Sequence, residues 1–191
     1  MPTTPTNSSP GTQTRPTAAS VGTMIGDRWN VTDDEVGRHY PCDDFVCAPT
    51  LQAWRGITVH TTPEMLWSWV GQIRIAPYSY DWLDNLGRRS PQQLMGLPEP
   101  VVGEPFTTAA TRRFGRILAV EPPKQLTGDI IGACISYVLV PGGQTTRLLM
   151  KIVTPMSRWL TPGLSVADLI MARRQLLNIK RLAEQPQPVG D

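Results

Sequence analysis

Ser165–Glu184 reads SVADLIMARRQLLNIKRLAE, and this stretch decides the fold. Ser165 is a good N-cap, and Asp168 three residues on is its capping-box-like partner. About 20 residues at 1.5 Å each make a helix near 30 Å long. On a helical wheel Val166, Leu169, Ile170, Leu176, Leu177, Ile179 and Ala183 share one broad face. Leu169, Ile170, Leu176 and Leu177 are expected to face a sheet. Arg173 and Lys180 fall inside the same apolar stripe. A cation there reaches a polar cavity, pairs with an acid, or snorkels outward along its own apolar stem. Lys180, near the helix end, reads as snorkelling. Arg173, in the middle, reads as a buried charge pair or a pocket residue.

The residues before this helix supply the sheet. Thr145–Val153, TTRLLMKIV, alternates, so Thr145, Arg147, Leu149, Lys151 and Val153 share one face. Thr146, Leu148, Met150 and Ile152 share the other, which is expected to face the interior. PGGQ before it is a hairpin turn, and Ile130–Val140, IIGACISYVLV, reads as one long apolar strand. Val101–Arg113 and Phe114–Glu121 contain further alternating segments, with EPPKQ as a turn. Farther upstream, Trp54–His60, WRGITVH, reads as a strand with Ile57 and Val59 on one face. It runs straight into TTPEMLWSWVGQI, where Thr62 caps, Pro63 takes the first helical position, and Met65, Leu66, Trp69 and Val70 form an apolar stripe. Thr32 is a plausible cap for a short helix through Asp33, Asp34 and Glu35. The order is strand, helix, several antiparallel strands, then one long helix. An antiparallel sheet with one apolar face can be covered by that helix. Any unfilled concavity is then a ligand cavity.

Between the first helix and the later strands lies Pro77–Pro91, PYSYDWLDNLGRRSP. Ordinary loops are built from Gly, Ser, Asn, Asp and Pro rather than Tyr and Trp. Buried Tyr and Trp need hydrogen-bond partners, and buried Asp and Arg need counter-charges. The run therefore reads as an ordered polar network at a cavity mouth; the alternative is an aromatic-rich surface helix with solvated charges. The candidate ligand-binding residues are Tyr78, Tyr80, Asp81, Trp82, Asp84, Asn85, Arg88 and Arg173. Asp84, then Asp81, is the expected partner of Arg173, in a buried or half-buried charge pair. No residue is assigned a catalytic role.

Composition narrows the function. The chain has 191 residues, 40% of them hydrophobic and 18% charged, which suits one ordinary globular domain. A net charge of +2 argues against strong nonspecific nucleic-acid binding. No run of about 18 apolar residues predicts a membrane-spanning helix, and the N-terminus does not read as a secretory signal. Three cysteines fit a reducing cytoplasm better than a disulfide scaffold. Residues 1–26 are expected to be a disordered Pro/Thr/Ser-rich tail, 27–184 one domain, and 185–191 a frayed end. His39, Cys42, Asp43, Asp44 and Cys47 could imitate a zinc site, but no second Cys/His pair completes four ligands, so no metal and no cofactor are expected. A Cys42–Cys47 disulfide is the lesser alternative to packed or surface thiols. His60 reads as a solvated strand end. No nucleophile elbow and no phosphate-binding loop is present.

Several segments together resemble the SRPBCC superfamily, also called START-like or polyketide cyclase/dehydrase-like, and within it an uncharacterised bacterial subgroup of actinobacterial appearance. They are RWNVTDDEV, PCD at Pro41–Asp43, and Trp54–Pro91. Further on they are VGE at Val102–Glu104, SYVLVP at Ser136–Pro141, TTRLLMKIV, and MARRQLLNIKRLAE. The resemblance covers roughly Asp27–Glu184. It implies an α+β helix-grip fold, a curved antiparallel β-sheet wrapped around a long C-terminal helix. Members include carriers, receptors, aromatases and cyclases, so a shared fold does not fix the activity. Two readings of function follow. One is a noncatalytic binder or carrier of a hydrophobic or amphipathic small molecule, lipid, polyketide or aromatic-like, in an internal cavity. There Tyr78, Tyr80, Asp84 and Arg173 would orient the polar end. The other is a cyclase, aromatase or dehydratase whose cavity acid or base acts on a polyketide-like substrate. If the cavity is filled by side chains, a partner-binding role is favoured instead. The expected partner is a small molecule, with no nucleic acid and no integral membrane association, in a monomer or weak homodimer.

Overall fold

The structure is a computed structural model that describes residues 27–79, 89–155 and 162–186, with 162–170 as helical backbone. The expected disordered tail, residues 80–88 of the aromatic run, and 187–191 lie outside the described residues.

The chain enters through a two-residue strand, β1 (Arg28–Trp29), and a short helix, α1 (Asp33–Gly37). Thr32 caps α1 as its sequence suggests. Its hydroxyl accepts from the Glu35 amide at 3.2 Å, and the Glu35 carboxylate accepts from the Thr32 amide at 2.9 Å. After a 3₁₀ turn at Pro41–Asp44, β2 (Leu51–Val59) leads directly into α2 (Pro63–Gly71). Thr62 Oγ1 accepts from the Met65 amide at 3.3 Å, and Pro63 occupies the first turn, where no amide is needed. Leu66, Trp67, Trp69 and Val70 are buried. The rest of the sheet follows as β3 (Thr107–Ala109), β4 (Arg112–Phe114), β5 (Arg116–Glu121), β6 (Gln125–Ile130), β7 (Ala133–Pro141) and β8 (Thr146–Thr154). The chain then forms α3 (Pro162–Ala183).

Three expectations are corrected here. The apolar run Ile130–Val140 is two strands rather than one. Ile130 pairs with Ala133 across a two-residue turn in which Ile131 has φ 47° and Gly132 φ 79°. Positive φ at both central residues matches the twist of a hairpin, and the apolar side chains concealed it. The last helix begins at Pro162 rather than at a Ser165 cap. Leu177 does not face the sheet but is exposed. The inward stripe of the described part of α3 is Ala172, Gln175, Leu176, Ile179, Leu182 and Ala183.

The fold is α+β: a curved six-stranded sheet, ordered β1-β2-β8-β7-β6-β5, with the C-terminal helix against it in the helix-grip manner. Every pairing in this sheet is antiparallel except the short β1–β2 contact, which is parallel and makes the sheet mixed at one edge. β3 and β4 form a separate two-stranded ladder. Leu148, Met150 and Ile152 of β8 join Ala53, Ile57 and Val59 of β2 in the core beneath α2 and α3, as alternation predicts. The opposite face of β8 is also covered. Leu149 and Val153 pack with Tyr40 and Cys42, so the N-terminal segment forms a second layer. There Lys151 is 5% exposed, pairs with Asp43 at 2.6 Å, and lies 5.1 Å from the Trp54 ring and 5.5 Å from the Tyr40 ring.

Candidate functional site

A cavity of about 110 Å³ lies between the sheet and α3. Its walls are mainly apolar: Phe106 before β3, Ile130, Ile135, Met150 and Ile152 on the sheet, and Met171 and Ala172 on α3. The period-2 alternation of β7 and β8 aims these side chains inward. Gly128 lets Phe106 lie flat on β6, since a Cβ at that position would stand 2.1 Å from the Phe106 ring. By comparison, an engineered protein cavity of about 150 Å³ holds benzene. The chamber therefore suits one ring or a short branched chain.

Three of its polar side chains are hydrogen-bonded within the lining. The Tyr137 hydroxyl donates to Gln175 Oε1 at 2.6 Å, and Gln175 Nε2 donates to the Pro77 carbonyl at 2.6 Å. Thr107 Oγ1 donates to the Ile73 carbonyl at 2.8 Å. The described lining contains no Asp, Glu, His, Lys, Arg or Cys.

Of the candidate ligand-binding residues, Tyr78 and Arg173 are described; Tyr80, Asp81, Trp82, Asp84, Asn85 and Arg88 lie outside the described residues. Tyr78 is 1% exposed and does not line the cavity. Its hydroxyl accepts from Gln72 Nε2 at 2.7 Å, and its ring meets Trp69 edge-on at 6.2 Å. Its φ of 55° is unfavourable for a bulky residue, and the surrounding bonds hold it there. Asn178 Nδ2 donates to the Tyr78 carbonyl at 2.8 Å and to that of Ser79 at 3.2 Å. Among the described residues Trp69 Nε1 has no hydrogen-bond partner.

Arg173 is a correction. It is exposed, not buried or half-buried, with its guanidinium 4.8 Å from the Trp29 ring centre. The Trp29 face on β1 supplies a cation–π contact, while the expected acids Asp84 and Asp81 lie outside the described residues. Among the described residues, neutral amides link the start of the aromatic run to the gripping helix. Gln175 and Asn178 hold the carbonyls of Pro77, Tyr78 and Ser79. Gln72 is buried too, bonded to Tyr78, to the Gln93 carbonyl at 3.3 Å, and to the Met95 amide. These amides gave no sequence signal, because Gln and Asn are ordinary on helix surfaces.

A cation buried on the core side is Arg55, 2% exposed on the same face of β2 as Ala53, Ile57 and Val59. Alternation in WRGITVH puts it on the face of Ile57 and Val59. Its guanidinium donates to the carbonyls of Asp27 at 2.9 Å and Trp54 at 2.7 Å. Burial lowers its pKa and the nearby Arg173 charge adds to that, while Asp27 opposes them.

The other titratable candidates sit elsewhere. His39 meets Asp44 at 2.9 Å on the surface. Cys42, Cys47 and Cys134 are free thiols, so the Cys42–Cys47 disulfide alternative is not formed. Burial pushes the Cys42 thiol up to about 11 and that of Cys134 up to about 12, which makes both poor nucleophiles. His60 is exposed, but its amide and ring both bond to the Glu184 carboxylate, at 2.8 and 2.9 Å. Lys180 is half-buried. It donates to that carboxylate at 2.7 Å and to the Thr58 carbonyl at 2.6 Å. Among the described residues no helix is long and apolar enough to cross a membrane.

No family model matches the chain, and no curated protein matches it. Similar solved structures include a Rhodobacter sphaeroides protein, 17% identical, covering 69% of this chain and 90% of its own, with a TM-score of 0.48. CalU16 from Micromonospora echinospora is 17% identical over 73% of this chain and 69% of its own, with a TM-score of 0.43. DynU16, described as a protein of the dynemicin biosynthetic locus, is 18% identical over 72% of this chain and 48% of its own, with a TM-score of 0.46.

Proposed function

We propose that this chain binds a small apolar or amphipathic molecule, of lipid, polyketide or aromatic type, between its sheet and α3, and carries it unchanged. The observation that supports this reading is the chamber beneath α3, mainly apolar in its walls, with Thr107, Tyr137 and Gln175 hydrogen-bonded within the lining. An acid/base enzyme of the cyclase or dehydratase class needs a titratable group that reaches its substrate. Within the described lining only Tyr137 is titratable, and its hydroxyl donates to Gln175. The ligand would gain affinity from burial, at roughly 25 cal/mol per Å² of apolar surface, and orientation from the Tyr137–Gln175 pair at one wall.

The test is calorimetric titration with a panel of probes of the size the chamber takes, single-ring aromatics and short branched-chain fatty acids. Saturable binding that Ala172→Phe weakens by at least ~10-fold, with an unchanged circular-dichroism spectrum, supports the reading; tenfold corresponds to about 1.4 kcal/mol. No binding by any member of the panel would mean that the chamber is a packing defect of a filled core. Conversion of a panel member to a new product would favour the enzyme.

A further inference from the structure

The turn between β6 and β7 is built against local preference. Ile131 occupies a left-handed position, φ 47°, and is 72% exposed. Asn or Gly suits such a turn, and a β-branched residue at positive φ is a genuine outlier. The position is thus unfavourable in backbone and in solvation at once, which points to an apolar environment that the isolated chain does not supply.

The surroundings of Ile131 are basic. Arg116 pairs in register with Asp129, two residues from Ile131. Gly115 packs so closely on Asp129 and Ile130 that a Cβ there would stand 1.7 Å from the Asp129 carbonyl oxygen. Arg112 and Arg113 lead into this junction on β4. All three arginines are exposed, and none has an ion-pair partner among the described residues. The nearby acids are engaged: Glu104 pairs with Arg74 at 2.7 Å, and Asp129 accepts the Arg116 amide. Val101 and Val102, each 57% exposed, precede Gly103, whose amide bonds to Ile117 of β5 at 2.8 Å. Ile130 and Ile135, half-buried beside the turn, line the cavity. Exposed aliphatic residues interleaved with unpaired arginines, next to an apolar chamber, therefore occupy one end of the sheet.

We infer that this end is a peripheral docking surface for an anionic lipid bilayer, with Ile131 entering the headgroup–acyl boundary and Arg112, Arg113 and Arg116 meeting lipid phosphates. Each basic residue near an anionic leaflet adds electrostatic attraction, and the inserted isoleucine adds a smaller apolar contribution. A nucleic-acid surface would call for aromatic stacking platforms rather than aliphatic tips. The inference rests on the proposed function for the cargo, but the docking itself is measured without any cargo.

The experiment is co-sedimentation of the full chain with vesicles of phosphatidylcholine alone and of phosphatidylcholine with about one-quarter phosphatidylglycerol. Binding to the anionic vesicles only, weakened by raising the salt, is expected. Reversal of Arg112, Arg113 and Arg116 to Glu should weaken partitioning at least ~100-fold. The sharper variant is Ile131→Asn. It should weaken vesicle binding while leaving the melting temperature unchanged or raised, because Asn tolerates the left-handed turn. Lys124→Glu, away from this end, should bind like the unaltered chain. Absence of binding to anionic vesicles overturns the inference. So does binding that ignores the triple reversal, or self-association abolished by Ile131→Asn without vesicle binding, which would make a second copy the occupant. Probe titration in the absence of vesicles fails separately if the cavity reading is wrong.

Discussion

Gly128 carries the shape of the cavity wall in a single missing atom. A methyl there would meet the Phe106 ring at 2.1 Å, and its φ is not of the left-handed kind, so the obstacle is purely steric. Gly128→Ala should destabilise by about 1–3 kcal/mol through overpacking, read as a lower urea midpoint, and should reshape the chamber. Glu184 is the residue whose charge the fold most clearly uses. Burial alone would raise its pKa, but hydrogen bonds from Lys180 and from the His60 amide and ring outweigh it, leaving about 2 against an ordinary 4.5. A folded value below the unfolded one stabilises the protein fully above pH ~4.5, and that stability is lost as pH falls through about 2. Glu184→Gln should therefore cost about 1–2 kcal/mol at pH 7, and the difference from the unaltered chain should shrink steadily in urea melts between pH 5 and pH 2. Arg55 shows what could have been read at this scale. The alternation that put Ile57 and Val59 on one face puts Arg55 on it too, a consequence the sequence reading did not draw.

At the scale of elements, α3 is fixed by a stripe of apolar side chains and by two amides within it. Tyr137→Phe and Gln175→Leu each break the bond that joins β7 to α3. Their combined effect should depart from additivity by about 0.5–3 kcal/mol, measured as a double-mutant cycle in urea, because the two groups share one chain of bonds to Pro77. Strict additivity would show that the bond contributes nothing. The N-terminal layer is held differently, by the Lys151–Asp43 pair beneath Tyr40 and Trp54. Lys151 is nearly enclosed while Asp43 retains 26% of its side-chain exposure. Asp43→Asn leaves a buried cation without its counter-charge and should cost roughly 3 kcal/mol. Lys151→Met leaves a carboxylate that can turn to water and keeps the apolar packing, so it should cost less. Equal losses in thermal or urea melts would mean that burial of the lysine is not what sets the difference.

For the molecule as a whole, β8 is the shared wall. Met150 packs into the core beneath α3, and Leu149, its neighbour, packs beneath the N-terminal layer. Two layers that share one strand should unfold together. Tryptophan fluorescence and far-ultraviolet circular dichroism are expected to give coincident urea transitions. An earlier fluorescence transition would mean that the N-terminal layer peels from a sheet that survives it. The sequence treated the sheet as one-sided, because both of its apolar faces cannot be told from one by alternation when a lysine sits among the outer residues.

The elements whose signals are local were legible without the structure. They include the Thr32 and Thr62 caps, the strand running into α2, the EPPKQ and PGGQ turns, the two faces of β8, and the long final helix. Each depends on the period of the backbone and on side chains bonding within three or four residues, and that is written in the chain. The α+β order and the grip of the last helix followed from it. What tertiary structure alone decided is where long-range partners meet. The Ile130–Val140 run turned back at Ile131 because ladder partners on both sides made a hairpin of it. Leu177 was left outside because α3 rolled its Ala172–Gln175–Leu176–Ile179 face inward. Arg173 found the Trp29 ring, which lies 144 residues away in sequence. Gln72, Gln175 and Asn178 became the struts of the site because buried carbonyls from another segment needed donors there. Local periodicity thus fixed the elements, while the requirement to satisfy buried polar groups at a distance fixed the site.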